Sequence, residues 1–480
     1  MSLSAPWSVK AMAQAMGAEG VGPLPETVSG LSIDTRTIAG GEAFLAIRGD
    51  VRDGHDFVPA ALEAKAGLAV VARHKRQDMP PDAPLLVVAD VLAGLTDLAR
   101  AARARTNAKI IAVTGSVGKT GTKEALRLAL AKPGATHASI ASYNNHWGVP
   151  LSVARMAENT KFGVFEIGMN HAGEITPLTR LVRPHVAIVT TVEPVHLEYF
   201  GSVEAIADAK AEIFLGLEPG GAAVLNRDNA QYTRLARAAQ GAGARVVSFG
   251  EQAQADARLL KVSLQADSSA VHANILGTEV TYKLGVPGRH AVQNSLAVLA
   301  AAALAGADLA LTALALASLE PPTGRGQRLT LSLPGGGTAL LIDESYNANP
   351  ASMRAALAVL GLAPIGRSGR RIAVLGDMLE LGPASAELHR GLAEPILAHD
   401  LDLVFCAGPM MQALWGALPS ERRGSYAESA AALEPHVVAA IADGDAVMVK
   451  GSLGSKMGPI VKALAHRYRR RTPEEASARG

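Results

Sequence analysis

The sequence has few cysteines and little net charge. It therefore lacks the features typical of proteins from oxidising compartments and of proteins that bind charged polymers. Cys406, in the apolar run LDLVFCAG, is the single cysteine, so no disulfide can form within the chain. The formal net charge is only +2 over 480 residues, which implies no acidic polymer as a partner. The basic cluster of Arg467 and Arg469–Arg471 is typical of a solvated C-terminal tail.

Long hydrophobic runs are also scarce. The N-terminal stretch MSLSAPWSVKAMAQAMG lacks the basic start and continuous apolar core of a signal peptide, so we expect a cytoplasmic protein. The alanine-rich stretch from Ser295 to Leu319 is interrupted by Asp308 and Thr312. Together with Asp308, Gly306 predicts two packed helices joined by a turn. We therefore expect no insertion into a membrane.

The most informative stretch is IIAVTGSVGKTGT, from Ile110 to Thr122. An apolar strand runs into a glycine-rich turn, and a helix is predicted to follow it. Such a turn lets backbone N–H groups approach phosphate oxygens, with Lys119 placed to reach the β- and γ-phosphates and Thr120 to reach Mg²⁺. Val113 stands where the common P-loop pattern has its first glycine, so only the shorter form G-x-x-G-K-T is present. The pattern predicts a nucleotide-binding loop.

The length of 480 residues predicts two to four domains. The first unit, residues 1–107, has short predicted strands near 30–35 and 43–47 and another at 68–72, with helices near 59–66 and 92–104. Its segment SIDTRTIAGGEAFLAIRG is dense in polar side chains. These are compatible with turns on a small sheet or with a polar ligand cleft, and composition alone favours neither.

Residues 108–317 alternate short apolar runs with helical patterns, which predicts a mostly parallel sheet covered on both faces. Ligands of such sheets bind at the carboxyl ends of the strands. Glu166 ends the second run, and Glu193 and His196 follow the third, so these groups can converge with the phosphate loop on one Mg-nucleotide. Residues 257–284 predict an antiparallel extension. In GRHAVQN, His290 and Asn294 lie four residues apart on one helix face, where a plain helix start is the alternative.

From residue 318 the alternation of strand and helix begins again, after a hairpin through Gly335–Gly337. This predicts a second doubly wound α/β unit without a phosphate loop of its own. Polar residues again follow the strand ends, which makes a ligand-facing edge of the sheet the favoured interpretation. They are Asp343 with Tyr346 and Asn347, Asp377 with Glu380, and Lys450 with Ser452.

Two classes of protein use these parts. A switch or transport NTPase usually has an apolar strand that ends in Asp, and none of the runs here does. An enzyme that activates a carboxylate with ATP needs no protein nucleophile, because the substrate carboxylate attacks the γ-phosphate itself. It needs positive charge and metal at the phosphoryl group and an amine held in line. The second class fits the chain better.

Five motifs resemble those of the Mur ligases of cell-wall precursor synthesis, over essentially the full length. They are TGSVGKT, EIGMNHAGEI, HLEYFGSVEAIADAK, GRHAVQN and IDESYNANP. The resemblance implies an α/β fold of three domains: a smaller N-terminal α/β domain (1–107) for the UDP-substrate, a central P-loop doubly wound parallel sheet (108–317) for ATP, and a C-terminal Rossmann-like α/β domain (318–480). The short phosphate loop is shared by the family.

The resemblance also implies roles for individual residues. Lys119, Lys210 and His196 are expected to be catalytic, and Lys210 to be carbamylated by CO₂. Thr120, Glu166, His196 and Lys210 would serve the metal ions. The expected ATP contacts are Thr114, Gly115, Ser116, Val117, Gly118, Lys119, Thr120, Gly121, His290, Asn294, Arg325 and Asp343. The expected contacts of the uridine end of the substrate are Ser32, Asp34, Thr35 and Arg36.

Within the family, SIDTRTIAGGEAFLAIRG and YNANP resemble the members that join D-alanyl-D-alanine to UDP-N-acetylmuramoyl-tripeptide. The implied cofactors are ATP and Mg²⁺, with no nucleic-acid partner and a monomeric state. The implied reaction forms an acyl phosphate and releases ADP and phosphate. Two alternatives stay open at this point: a ligase similar to folylpolyglutamate synthase, which lacks a uridine-binding first domain, and a P-loop binding module without catalysis.

Overall fold

The computed structural model describes residues 7–140, 142–195 and 197–468. Three α/β units follow one another along the chain, and each is built on its own sheet. This confirms the predicted fold class. Among the described residues, none of the helices has both the length and the apolar character needed to span a bilayer.

The N-terminal unit has a five-stranded sheet in the order β2-β7-β6-β5-β4, in which only β2 is antiparallel to its neighbour. β1 and β3 form a separate antiparallel pair. The elements are β1 (Trp7–Ser8), α1 (Val9–Met16), β2 (Glu19–Val21), β3 (Thr27–Val28), β4 (Leu31–Ser32), β5 (Ala43–Leu45), α2 (Val58–Glu63), β6 (Leu68–Ala72), β7 (Leu85–Val88) and α3 (Val91–Ala104).

The central unit has a nine-stranded sheet in the order β16-β15-β14-β13-β12-β11-β8-β10-β9. Its elements are β8 (Lys109–Thr114), α4 (Lys119–Ala131), β9 (Thr136–Ala138), α5 (Gly148–Ala154), β10 (Phe162–Glu166), α6 (Ile175–Val182), β11 (Val186–Val189), α7 (Leu197–Phe200), α8 (Val203–Ala211), β12 (Ala222–Asn226), α9 (Tyr232–Gly241), β13 (Arg245–Gly250), β14 (Ala257–Leu264), β15 (Ser269–Ile275), β16 (Thr278–Leu284), α10 (Arg289–Leu304) and α11 (Leu309–Ala315).

Strand β8 lies inside this sheet, with β10 and β11 parallel on either side. Ile110 and Ala112 face one hydrophobic cluster, and Ile111 and Val113 face another on the opposite side of the sheet. A strand buried on both faces needs a continuous apolar run, which is why IIAV is not alternating. The carboxyl ends of β8, β10 and β11 meet at one edge of the sheet. The phosphate loop follows β8 there, Glu166 ends β10, and Glu193 follows β11.

Two further predictions for this unit are confirmed. Strands β14–β16 pair antiparallel and extend the parallel sheet, with a turn at Gly277 (φ 94°). The alanine-rich stretch forms α10 and α11, with Gly306 between them and the Asp308 carboxylate accepting a hydrogen bond from the backbone N–H of Leu311. Small alanine side chains let α10 pack closely against α4 and the sheet, so its middle is fully buried.

The C-terminal unit has a six-stranded sheet in the order β17-β18-β22-β19-β20-β21. Only the predicted hairpin β17–β18 is antiparallel. Its elements are β17 (Gln327–Ser332), β18 (Thr338–Glu344), α12 (Pro350–Gly361), β19 (Arg371–Gly376), α13 (Ser385–Arg390), α14 (Ala393–Ala398), β20 (Leu403–Ala407), α15 (Gln412–Ala417), β21 (Arg423–Ala427), α16 (Ala430–Ala440), β22 (Ala446–Lys450) and α17 (Gly458–Arg467).

Short 3-10 helices complete the structure at Gly54–Phe57, Arg73–Asp78, Glu212–Gly216, Leu316–Ser318, Gly382–Ala384, Ser420–Arg422 and Leu453–Ser455. The central and C-terminal sheets turn carboxyl ends of their strands toward a shared cavity. Glu344 ends β18 and Lys450 ends the adjacent β22, and both line that cavity together with the loop after β8. The fold therefore brings the carboxyl ends of strands from two sheets, which are far apart in sequence, to one site.

Candidate active site between the central and C-terminal units

The phosphate loop joins β8 to α4 through residues 115–118. Gly115 and Gly118 have φ angles of 147° and 85°, a region that favours glycine. A Cβ at Gly115 would lie 1.9 Å from Thr190 Oγ1, and one at Gly118 would lie 2.6 Å from Asn294 Nδ2. The two glycines therefore let the loop pack against Thr190 and Asn294, and the backbone N–H of Ser116 donates to the Thr191 carbonyl oxygen at 2.8 Å.

Lys119 is the first residue of α4, and its Nζ donates to the carbonyl oxygen of Gly115 at 2.7 Å. This bond curls the side chain back over the loop. Burial lowers the pKa of Lys119, while the nearby Glu166 carboxylate raises it and Arg325 lowers it. A cation held over the loop N–H groups is the arrangement that binds nucleotide phosphates.

Glu166, at the end of β10, is only 1% exposed and is held by two donors. Its Oε2 accepts from Thr120 Oγ1 at 2.9 Å, and its Oε1 accepts from Asn144 Nδ2 at 2.7 Å. The carboxylate is thus fixed beside the hydroxyl that follows Lys119. Sequence analysis did not single out Asn144, although the polar run SYNNHWG before α5 is a signal for it.

These oxygen donors fit a magnesium ion. Mg²⁺ prefers oxygen ligands and is usually held by one or two carboxylates, with substrate phosphates and water completing its shell. Glu166 and Thr120 supply that donor set at the phosphate loop. The described residues contain no group of three or more His, Cys, Asp or Glu arranged to hold a metal by themselves.

The cavity has a volume of about 520 Å³ and lies between the phosphate loop, the start of α10 and the C-terminal unit. That volume is typical of a small-molecule site. The predicted residues that line it are Ser116, Val117, Gly118, Lys119, Thr120, Gly121, Glu166, His290, Asn294 and Arg325. Glu193, Tyr346, Asn347 and Lys450, which follow strand ends, line it as well.

His290 stands in the first turn of α10 and is accessible from the cavity. Gly288 precedes the helix with a φ of 101°, and a Cβ there would lie 2.8 Å from the His290 ring. Burial lowers the pKa of His290, while Glu344 raises it and Lys450 lowers it. A neutral imidazole offers one donor and one acceptor to a ligand.

Arg325 connects the two units. Its guanidinium lies 4.3 Å from the centroid of the Tyr346 ring, and its Nη2 reaches Ser142 Oγ at 3.5 Å. Ser142 Oγ also lies 3.4 Å from Thr120 Oγ1. The C-terminal unit thereby places the Arg325 guanidinium close to the phosphate loop, since Ser142 contacts both Arg325 and Thr120.

Arg328, on β17, also lines the cavity, and sequence analysis missed it. Its Nη2 is buried and has no hydrogen-bond partner among the described residues, and burial lowers its pKa. Arg328 is in phase with the polar residues Thr330 and Ser332 of QRLTLS, so the alternation of this strand carries no signal for it. Glu344 was missed too, and it pairs with Lys450 at 3.1 Å.

Some predicted ATP contacts do not face the cavity. Thr114 and Gly115 are buried and do not line the cavity. The Asp343 carboxylate is buried and accepts from the backbone N–H and the hydroxyl of Ser345, at 3.0 and 2.7 Å. It therefore holds the turn after β18, and Glu344 is the acidic group on the cavity side. The role of Asp343 toward ATP stays a prediction.

Lys210 is buried near the end of α8, with a side chain that is 3% exposed. Burial and the positive charge of Lys119 lower its pKa well below the usual value. Folding thus puts Lys210 within electrostatic range of Lys119, although 91 positions separate them in sequence. His196 lies outside the described residues, so its part in the site stays a prediction.

The predicted uridine contacts form a separate polar loop after β4. The Asp34 carboxylate accepts from Arg36 Nε at 2.8 Å and from Nη2 at 2.6 Å. This pair lowers the pKa of Asp34. Ser32 is buried, with its hydroxyl bonded to the Asp34 carbonyl at 3.2 Å, and Thr35 lies in the same loop. Arg155 donates to the Leu31 carbonyl oxygen, which anchors the loop to the central unit.

The fold and the site together define a three-unit α/β protein that holds a nucleotide phosphate loop against a second, Rossmann-like unit. Family profiles match all three units: "Mur ligase family, catalytic domain" over residues 27–105, "Mur ligase middle domain" over 113–302, and "Mur ligase, glutamate ligase domain" over 324–453. The chain belongs to the Mur ligase family.

Individual relatives agree with this assignment. The chain is 30% identical to a UDP-N-acetylmuramoyl-tripeptide–D-alanyl-D-alanine ligase of Rickettsia prowazekii, over 95% of this chain and 99% of that one. It is 34% identical to the Escherichia coli protein of the same name, over 91% and 94%. The crystal structure of MurF from Acinetobacter baumannii superposes with a TM-score of 0.82 at 28% identity, covering 96% and 99%.

Proposed function

We propose that this chain is an ATP-dependent ligase that joins D-alanyl-D-alanine to UDP-N-acetylmuramoyl-tripeptide in peptidoglycan precursor synthesis. The observation that carries the proposal is the shared cavity, in which a phosphate loop meets cations of the C-terminal unit. Relatives of that name, 30–34% identical over more than nine-tenths of this chain, support the choice of substrates. The reaction uses ATP, and we place it in the cytoplasm, where ATP is supplied.

The reaction proceeds in two steps. The terminal carboxylate oxygen of the tripeptide attacks the γ-phosphorus of ATP, the bond to the β-phosphate oxygen breaks, and ADP leaves. The amine nitrogen of D-alanyl-D-alanine then attacks the carbonyl carbon of the acyl phosphate. The tetrahedral intermediate expels phosphate, and the nitrogen loses its proton. Positioning and charge stabilisation supply most of the catalysis in such transfers.

The chain's own residues provide those two effects. Lys119 lies over the phosphate loop, and Arg325 and Arg328 face the cavity from the C-terminal unit. Three cations around the γ-phosphate would stabilise the charge that develops on its oxygens. His290 and Asn294 are our candidates for holding the base and sugar, because they share one face of α10 next to the loop.

We assign the magnesium site to Glu166 and Thr120. Bound there, Mg²⁺ would neutralise charge on the β- and γ-phosphate oxygens. Asn144 acts as a positioning residue, because its amide holds the Glu166 carboxylate toward the loop. His196 is proposed as a ligand of a second metal by resemblance to the family.

Lys210 is proposed to carry a carbamate. Its amine is buried beside Lys119, where a second ammonium would be repelled and poorly solvated. Attack of the neutral amine on CO₂ forms the N–C bond and releases one proton, so the neutral side chain becomes an anion. The carbamate would then attract Lys119 and offer oxygen atoms to a metal.

We propose the loop of Ser32, Asp34, Thr35 and Arg36 as the site of the uridine end. Arg36 is exposed and Asp34 is half-buried, so both can turn toward a ligand. The loop is anchored to the central unit through Arg155. A nucleotide-sugar bound there would lead its peptide toward the cavity between the other two units.

The decisive experiment measures phosphate release from ATP by the purified protein, with the UDP-tripeptide present and D-alanyl-D-alanine either added or omitted. We expect release to require both, with a UDP-linked pentapeptide identified by mass. Release that responds to a single amino acid instead of the dipeptide would assign the protein to a sibling ligase. Release that needs neither, with no amide product, would contradict the proposal.

A further inference from the structure

A second cleft lies at the opposite edge of the central sheet. It has a volume of about 560 Å³ and is formed where β8 and β10 begin, at Lys109 and next to Lys161. Because β8 is six residues long, about 17 Å of strand separates this cleft from the phosphate loop. The cleft is therefore distinct from the cavity proposed to bind ATP.

The cleft is electropositive. Arg105, Lys109 and Lys161 line it, against a single carboxylate, that of Glu158. Lys109 and Lys161 are exposed, and the backbone N–H of Lys109 donates to the carbonyl oxygen of Lys161 at 2.9 Å, which holds the two side chains at neighbouring strand starts. The pairing of β8 and β10 thus concentrates positive charge at one place.

Two buried polar groups in the cleft are left without a partner. Thr160 is 4% exposed, and its Oγ1 has no hydrogen-bond partner among the described residues. The same holds for Arg105 Nε, and Arg105 Nη2 makes only a long bond, 3.4 Å, to the Met156 carbonyl. Buried polar groups are nearly always paired with protein or with a bound molecule, so these two groups offer hydrogen bonds to a molecule in the cleft.

The guanidinium of Arg105 is also held rigidly. It stacks 3.6 Å from the centroid of the Trp7 ring, and Trp7 Nε1 donates to the Ala154 carbonyl at 3.0 Å. A fixed guanidinium with free N–H groups is suited to the oxygens of a phosphate group. The two lysines add point charges, and Asn107 adds an amide donor at the rim.

We propose that this cleft is a second anion site, which binds a small phosphate-bearing molecule. The site is built from Arg105, Lys109, Thr160 and Lys161. It uses none of the residues assigned to the reaction, so its existence does not depend on the ligase activity. The ligand is either free phosphate or a small phosphate ester, because both present the same oxygens.

The test is isothermal titration of the full chain with inorganic phosphate and, separately, with glycerol 3-phosphate. The protein is first saturated with Mg²⁺ and a non-hydrolysable ATP analogue, so that the phosphate loop is filled. Ionic strength is kept constant with chloride. Two variants are compared with the parent. One carries both Lys109→Gln and Lys161→Gln, and the other carries Thr160→Val, which removes the hydroxyl at nearly constant volume. The matched control is Lys261→Gln with Lys283→Gln, two exposed lysines on the antiparallel extension.

We expect one phosphate or phosphate-ester site per chain, weakened at least about tenfold by the double lysine variant and also weakened by Thr160→Val. The control is expected to bind as the parent does. Binding of only one of the two probes would identify the source of the phosphate group. The proposal is wrong if neither probe binds, or if the cleft variants and the control bind alike while all remain folded by thermal melting.

Discussion

Thr120 Oγ1 donates to Glu166 Oε2 at 2.9 Å, across the gap between the phosphate loop and the end of the neighbouring strand. The two residues are 46 positions apart in sequence, and the parallel pairing of β8 with β10 brings them together. A hydroxyl and a carboxylate at this place form the oxygen pair expected of a magnesium site beside a nucleotide.

Glu166→Gln tests this assignment. The amide keeps the shape of the side chain but removes its charge, so we expect the Mg²⁺ concentration for half-maximal activity to rise at least about tenfold. The measurement is ligase rate against Mg²⁺ concentration. Glu193→Gln is the matched control, because Glu193 lines the same cavity after the adjacent strand. An equal rise in both variants would remove Glu166 from the metal site.

Lys119→Ala is expected to lower ATP turnover by about 10³-fold, since it removes the cation that the loop holds over the phosphates. The variant also loses the hydrogen bond to the buried Gly115 carbonyl, which costs about 1–3 kcal/mol, so thermal melting is used to check that the fold persists. Lys132→Ala, at the exposed far end of the same helix, is the control. Substantial ligation by a folded Lys119 variant would exclude the phosphate loop from the mechanism.

Arg328→Gln is expected to raise the KM for ATP by about tenfold, because the guanidinium faces the cavity. The melting temperature should stay the same or rise, since Nη2 has no hydrogen bond to lose among the described residues. Steady-state kinetics and thermal melting check both parts. An unchanged KM for ATP with a lower melting temperature would make Arg328 a structural residue.

Lys210→Ala is expected to abolish formation of the acyl phosphate while binding of the UDP-substrate persists. If the parent side chain is a carbamate, added acetate should restore part of the activity, because it supplies a carboxylate to the vacated space. Ethylammonium should not. In the parent protein, ¹³C-labelled CO₂ should give a carbamate signal by NMR. Rescue by the amine alone, without that signal, would show that Lys210 acts as an ammonium group.

His137 gives a prediction about stability and pH. Burial lowers its pKa from 6.5 to about 4, and its Nε2 lies 2.7 Å from the Ser152 carbonyl oxygen, as a neutral donor would. The unfolded chain therefore binds a proton first as the pH falls. Stability should decrease between pH 6.5 and 4, by up to about 3 kcal/mol from this group.

His137→Gln does not titrate and can still donate an amide N–H, so it isolates that effect. Denaturant unfolding of parent and variant at several pH values provides the measurement. The gap between the two curves should shift in favour of the variant from pH 6.5 down to 4 and then level off. A constant gap would mean that His137 titrates alike in the folded and unfolded chain.

Local patterns in the sequence were sufficient for the fold class. The doubly buried strand IIAV, the glycines of the phosphate loop and the hairpin through Gly335–Gly337 each predict their structure from neighbouring residues. The period of apolar residues gave strands and helices for the same reason. The order of strands along each sheet depends on long-range pairing, so no local pattern could provide it.

The residues of the candidate site also fall into two groups, those that a local motif reveals and those that only folding brings together. Lys119 and Thr120 are recognisable because the loop that holds them is continuous in sequence. Asn144 and Arg328 were missed, because neither belongs to a local motif, and their importance comes from what the folded chain places beside them. Asp343 looked like the cavity-facing acid, but the turn after β18 directs it inward to Ser345 and leaves Glu344 on the cavity side.

Short-range patterns were enough for the phosphate loop and for the alternation of strands and helices, because backbone conformation and strand burial depend on neighbouring residues. The resemblance to the family added the three-domain layout and the reaction. Which charges meet depends on how the folded chain packs. The electrostatic effect of Lys119 on the buried Lys210 arises only in the folded chain, and so does the cleft of Arg105, Lys109 and Lys161 where β8 and β10 begin side by side. Electrostatic effects depend on distance and burial in space, and those quantities are set by packing between segments far apart in the chain.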